Sequence, residues 1–211
     1  QIDTRYVMVL FRSFADPNDP ADMEAAHALQ DRIQVRPVEA GKFEVPDWDP
    51  TSLRKVRDAL NVLAATRTDL TGLFGEKSKL SPIDHLLGAA AGWGGNPKEA
   101  AVYQIRTPQL NDGTTPYVVT VRDVPVDGFW SITVYNAKGY MEPNPRNLYS
   151  VNGVTARRNP DGSVTVHFGG DPGSVNYLPI NAGWSYVARM YQPRKQIVDG
   201  TWKFPEAQPV K

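Results

Sequence analysis

The 211-residue chain contains no cysteine. That removes disulfides, thiolate metal sites and a cysteine nucleophile. It leaves compartment open, because a cysteine-free chain suits the cytosol and the periplasm alike. Net charge is also missing: Lys plus Arg and Asp plus Glu each number 23. No long basic run breaks that balance, so the footprint that binds nucleic-acid phosphates or an anionic membrane surface is not present. Long apolar runs are absent too. The longest early one, Tyr6 to Phe11, is far too short to span a bilayer. No signal peptide precedes it. Gln1 is not a natural start, so upstream residues, and any export signal with them, are expected to be missing. Gly-x-Gly-x-x-Gly, Gly-x-Ser-x-Gly and His-Glu-x-x-His do not occur. The glycine-rich Gly92-Trp-Gly-Gly-Asn lacks the lysine and spacing of a phosphate loop. No cofactor and no metal site are therefore expected. The three histidines, His27, His85 and His167, have no pair at metal-ligand spacing.

What is present reads as an ordinary globular composition, 41% hydrophobic and 22% charged, which is enough for a buried core without staples. The 17 glycines and 18 prolines are spread along the chain, which marks many short elements, not a linker. Residues 4–14 predict one strand or two short ones. Asp19 before Pro20 predicts a helix start, and Met23, Ala26, Leu29 and Ile33 follow at helical spacing until Pro37. Asp49 with Pro50 opens a second helix, with Leu53, Val56, Leu60 and Leu63 as its apolar stripe. Ser81, Pro82 and Asp84 form a capping-box pattern for a third, which Gly92 ends.

After Asn96 the period changes to two. Tyr117–Val121, Phe129–Tyr135, Leu148–Val151, Val164–Phe168 and Trp184–Tyr191 predict strands, joined by turns such as Asn111-Asp-Gly, Asp161-Gly and Asp199-Gly. The fold class expected is α+β: an antiparallel β-sandwich or jelly-roll-like domain preceded by about three helices. The expected boundary puts an N-terminal segment at 1–92 and the sandwich at 93–211.

Alternation sorts residues by face. Trp130, Ile132 and Val134 share one face, as do Val164, Val166 and Phe168, and Tyr186, Ala188 and Met190. The opposite parity gathers Ser131, Thr133, Tyr135, His167, Ser185, Arg189 and Tyr191 as one polar face. Ser131 with His167 is the sharpest candidate for a nucleophile and its base, with Asp161, Asp171 or Asp199 to orient the histidine. The plainer reading makes them a small strand residue and a surface one. Arg189 with Tyr135 and Tyr191 can clamp a carboxylate or seat a small ligand, since a guanidinium fork matches a carboxylate. The plainer reading pairs Arg189 with a nearby acid. Asn176 either bonds a turn backbone or orients a ligand. Trp93, Trp130, Trp184, Trp202 and Tyr177 fill a core or stack on a ligand.

The blocks Phe129-Trp-Ser-Ile-Thr-Val-Tyr, Asn144-Pro, Tyr149-Ser, Asp161-Gly-Ser, Asn176-Tyr-Leu-Pro, Arg189-Met-Tyr-Gln-Pro and Asp199-Gly-Thr-Trp keep one order and spacing over roughly 120 residues. In this the chain resembles the family named domain of unknown function 1214. Tyr177 stands where that family usually has tryptophan. Residues Thr4 to Pro37, with Phe11-Arg-Ser-Phe and Leu29-Gln-Asp, are similar to the end of its usual upstream partner, domain of unknown function 1254. The resemblance implies a bacterial, often exported protein, hence a periplasmic or secreted one, with the upstream domain as a partner. It implies no reaction and no cofactor. The expected function is a small-molecule binding or assembly module of the bacterial envelope. The alternative is an ester or amide hydrolase using Ser131 and His167.

Overall fold

An aspartate or serine followed by proline opens each of the first three helices, and the reason is local. The proline fixes a helical φ where no backbone donor is needed, and the preceding side chain satisfies the free N–H groups of the first turn. In the computed structural model, which describes residues 6–16, 19–36, 41–67, 72–92 and 94–210, α1 spans Pro20–Gln30, α2 Pro50–Ala64 and α3 Pro82–Ala91. Asp19 accepts from Ala21 N at 2.9 Å, Asp49 from Ser52 N at 2.9 Å, and Ser81 Oγ from Asp84 N at 3.4 Å. The Asp84 carboxylate does not close the capping box. It takes Arg67 Nη1 at 2.5 Å instead. Thr4 and Arg5 of the expected strand, Pro17 and Asn18, Pro37 and Trp93 lie outside the described residues.

The chain divides into two units, Gln1–Asp47 and Trp48–Lys211. Within the first, residues 6–14 form no strand, contrary to expectation. Their apolar run has no alternation to give it one dry face, and Val7, Met8, Val9, Leu10 and Phe11 are all exposed. Helix α1 stops at Gln30, so Ile33 lies beyond it, and Ala26 is its buried residue. In the second unit α2 and α3 pack on each other, with Arg57 Nε donating to Ala90 O at 3.1 Å. The expected α2 stripe is not covered: Leu53, Val56 and Leu63 are each more than half exposed, and Ala64 is the buried residue.

The sandwich follows. Among the described residues its strands are β1 Ala101–Arg106, β2 Tyr117–Val121, β3 Trp130–Tyr135, β4 Ser150–Asn152, β5 Val164–Phe168, β6 Tyr177–Leu178, β7 Ser185–Tyr191 and β8 Gln208–Pro209, with a short α4 at Lys195–Val198. One sheet has the order β1-β7-β3-β4 and is antiparallel throughout. The other has the order β6-β5-β2-β8, and its β5–β6 pair is parallel, so the assembly is not purely antiparallel.

Period-2 alternation decides the core. Ile132, Ala188, Met190 and Tyr186 of the first sheet meet Val119, Val166, Phe168 and Leu178 of the second in one apolar cluster. Phe168 bridges the sheets, with ring centroids 5.2 Å from Trp184 and 5.0 Å from Tyr186. Each such fully buried side chain contributes about 1.5–3 kcal/mol. The chain end is tied down on this core: Trp130 meets Phe204 edge-on at 5.6 Å, and Ala207 N donates to Tyr186 Oη at 2.9 Å. No helix among the described residues is long and apolar enough to cross a membrane.

Candidate ligand-binding site

The register of β3 against β7 sets Ser131 opposite Arg189, Thr133 opposite Val187 and Tyr135 opposite Ser185. Strand β1 sets Tyr103 opposite Arg189 from the other side. Core-facing parity belongs to the neighbours of these residues, so this row looks outward from the first sheet. Arg189 does not point straight out. Its Nη2 donates to Tyr135 Oη at 2.6 Å, and its Cζ stands 5.6 Å from the centre of the Tyr135 ring. The bridge runs along the row holding Ser131 and Thr133, each only 8% exposed although they face away from the core. Thr133 Oγ1 donates to Ser150 Oγ, which donates to Ile132 O.

Arg189 has no carboxylate partner among the described residues, so the expected alternative of a plain salt bridge is not what the fold builds. A half-buried guanidinium resting on a tyrosine keeps most of its charge available. Tyr135 Oη, having accepted from Arg189, keeps its own proton, and no acceptor for that proton is found among the described residues.

Tyr135 lines a cavity of about 180 Å³ at this end of the sandwich, together with Leu148, Tyr149 and Ile180. Asn181 lines it as well, and its Oδ1 is buried and has no hydrogen-bond donor among the described residues. The loop holds it firmly. Trp184 N donates to Asn181 O at 3.1 Å, and Gly113, at φ +81°, sits so close that a Cβ there would fall 2.5 Å from Asn181 C. The other asparagines of the rim are spent: Asn144 closes on Leu148 N and O at 3.1 and 3.0 Å, and Asn136 Nδ2 donates to Glu142 Oε2 at 2.6 Å. A buried polar atom without a partner costs about 1–3 kcal/mol, and this end holds two among the described residues, Asn181 Oδ1 and Trp184 Nε1; of their residues Asn181 is the one that lines the cavity.

The remaining candidates lie elsewhere. His167 is on β5 in the second sheet, facing outward, with Nδ1 donating to Val175 O at 2.8 Å. Ser131 faces outward from the first sheet, so the whole core separates the two and no Ser–His dyad forms. The single polar face expected from parity is two faces. The carboxylates considered for the triad close on their own turns: Asp161 on Ser163, Asp171 on Gly173 N and Asp199 on Thr201. Hydrogen bonding to Ser163 and to Thr201 holds Asp161 and Asp199 below the usual carboxylate range.

Asn176, at φ +53°, gives its whole amide to backbone: Oδ1 takes Arg157 N, and Nδ2 reaches Arg157 O and Thr165 O. It is a strut with nothing left for a ligand. Tyr191 stacks on Phe129 at 4.5 Å, at the opposite end of β7 from the cavity. Trp130 and Trp184 are buried in the core, Trp202 packs edge-on to Phe204, and Tyr177 lies under Arg146. His85 donates Nδ1 to Leu73 O at 3.1 Å, which accounts for it structurally.

Residues 103–195 match the model of the family described as Protein of unknown function (DUF1214). That segment runs from β1 to the start of α4 and contains Tyr135, Tyr149, Asn181 and Arg189. The VPA0106 protein from Vibrio parahaemolyticus, a solved structure, is similar over 97% of this chain and 59% of its own, at 24% identity and a TM-score of 0.59. The likeness is one of fold, and the chain spans 59% of that protein's length. An uncharacterized protein from Burkholderia cenocepacia is similar over 78% of this chain and 42% of its own, at 17% identity and a TM-score of 0.37. No curated protein matches the chain. The likeness of residues 4–37 to the upstream partner domain rests on the sequence blocks alone.

Proposed function

We propose that the sandwich is a noncatalytic binding module for a small hydroxylated molecule of single-sugar size, seated in the cavity beside Tyr135. The observation that carries this reading is Asn181 Oδ1, a buried acceptor with no donor among the described residues, on a residue that lines the same cavity as Tyr135. A ligand hydroxyl supplies the missing donor. The Tyr135 proton supplies a donor in return. Leu148, Tyr149 and Ile180 offer an apolar surface to the ring, and sugar-like ligands use such a combination of apolar wall and few convergent polar groups. Arg189 is a positioning residue here, fixing the Tyr135 hydroxyl. The cavity, at about 180 Å³, is smaller than the ~300–1,000 Å³ of drug-sized sites, which favours a compact ligand. The proposed setting is the bacterial envelope, reached by export, with an upstream domain of the same protein as partner. That setting follows from the family resemblance.

The test is ligand-observed NMR with a panel of free hexoses and pentoses. A hit that Asn181→Leu and Tyr135→Phe both weaken, by about tenfold each, supports the site, a buried hydrogen bond being worth about 1–2 kcal/mol to binding. Arg189→Ala weakens the same hit while the fold persists. A sugar whose affinity ignores Asn181→Leu removes the cavity from the reading, and a panel without any hit removes the ligand class.

A further inference from the structure

A second cleft opens at the other end of the sandwich, and its chemistry differs. It measures about 230 Å³ and lies between the end of β2, the loop leading into β3, and the turn after β4. Val124, Val126, Phe129 and Val164 make its apolar walls, and Trp130 closes the floor. Trp130 is only 7% exposed, and its indole N–H has no acceptor among the described residues. Phe204 holds the ring edge-on from the core side. Gly153, also in the lining, stands so close that a Cβ there would lie 2.4 Å from Trp130 Nε1. The glycine therefore leaves the donor bare toward the cleft.

Two arginines stand at the mouth. Arg122 is neutralised by Asp161. Arg158 is different: Nη1 donates to Gly162 O at 3.0 Å and Nη2 to Gly153 O at 3.3 Å, and no carboxylate among the described residues pairs with it. Two neutral carbonyls fix its position without cancelling its charge. The opposing charge is Asp123, an exposed lining residue at φ +48° with no hydrogen-bond partner for its side chain among the described residues.

We infer that this cleft is a second ligand site, for a small carboxylate with an apolar body. The carboxylate accepts from the Trp130 indole N–H and the Arg158 guanidinium, and the apolar body lies against Val124, Val126, Phe129 and Val164. One free guanidinium and one neutral donor match a monoanion. A phosphate needs more donors than this cleft offers, such as a row of backbone N–H groups. The apolar walls select against a small inorganic anion. This inference stands on its own residues and does not depend on the sugar-sized cavity at the opposite end.

The experiment follows the tryptophan indole N–H signals of the 15N-labelled chain, with Trp130→Phe assigning that of Trp130. Benzoate and hexanoate are titrated as probes, and benzamide as the neutral counterpart. The carboxylates are expected to move the Trp130 signal saturably, and benzamide to leave it in place. Arg158→Gln should weaken the response about tenfold, as loss of one charge-assisted bond predicts. Asp123→Asn, tolerated at a positive φ, should tighten it by removing a like charge. A Trp130 signal unmoved by both carboxylates overturns the inference. So does an equal response to benzamide, or loss of carboxylate binding in Asp123→Asn.

Discussion

The bridge between Arg189 and Tyr135 lends itself to a double-mutant cycle, because its two components can be separated. Tyr135→Phe removes the 2.6 Å hydrogen bond and keeps the ring under the guanidinium. Arg189→Met removes the charge and keeps much of the stem. Hydrogen bonds to charged groups contribute about 1.5–3 kcal/mol when dry. Arg189 is half-buried, and water recovers part of that loss, so about 1 kcal/mol is expected for Tyr135→Phe. The cation–π component adds about 0.5–1 kcal/mol and survives in the phenylalanine variant. The coupling energy of the cycle is therefore about 1 kcal/mol. Urea unfolding followed by tryptophan fluorescence measures it, with midpoints compared at a shared slope so that extrapolation error cancels. Coupling below about 0.3 kcal/mol, the level of independent sites, would refute the claim that Arg189 holds the Tyr135 hydroxyl in place.

Other outcomes follow from the same geometry. Phe168→Ala, at the contact between the two sheets, should cost about 3–5 kcal/mol in urea unfolding. Ser131→Ala should change stability by less than about 0.5 kcal/mol, because its hydroxyl has no partner among the described residues. Asp112 is held down to about 2 by the backbone N–H groups of Thr115 and Thr114 and the Thr115 hydroxyl. Its folded value is depressed from 3.8, so its stabilisation is complete above the unfolded value and fades as pH falls toward about 2. The unfolding midpoint of Asp112→Asn should therefore drop less steeply than that of the parent chain between those two pH values. Parallel slopes would show that the turn contributes nothing through that carboxylate.

Strands with clean alternation are legible in the amino-acid sequence. β3, β5 and β7 read correctly because apolar residues take every second position along each, and Ile132, Val166 and Met190 duly lie in the core. Alternation says which face a residue takes, but not which sheet. That is why His167 and Arg189, of the same polar parity, end on opposite sides of the molecule. β1 escapes because Ala-Val-Tyr-Gln-Ile-Arg alternates only over its last four residues, and β6 and β8 because two residues carry no period at all. The α2 stripe predicts the helix and says nothing of what covers it, since a period of 3.6 reports the helix and not its partner. Of the cavity, Tyr135 is visible in an alternating strand. Asn181 is not, because an asparagine in an ordinary loop looks the same whether its amide is satisfied or orphaned.

The pairing of β1 with β7 also governs when this domain can fold. Ala101 has its partner at Tyr191, and β3 likewise waits for β7, so the first sheet has no centre until the last long strand has been synthesised. Such non-local pairing makes for slow folding, because a long loop must close before its contacts reward it. A chain emerging from the ribosome at ~5–20 residues per second would carry β1 unpaired, and β3 paired along one edge only with the short β4, for several seconds before β7 arrives. During that interval β3 is an aggregation-prone segment, rich in β-branched and aromatic residues and without charge. A chaperone that binds extended apolar strands would find its best target there, in the segment that later carries Tyr135.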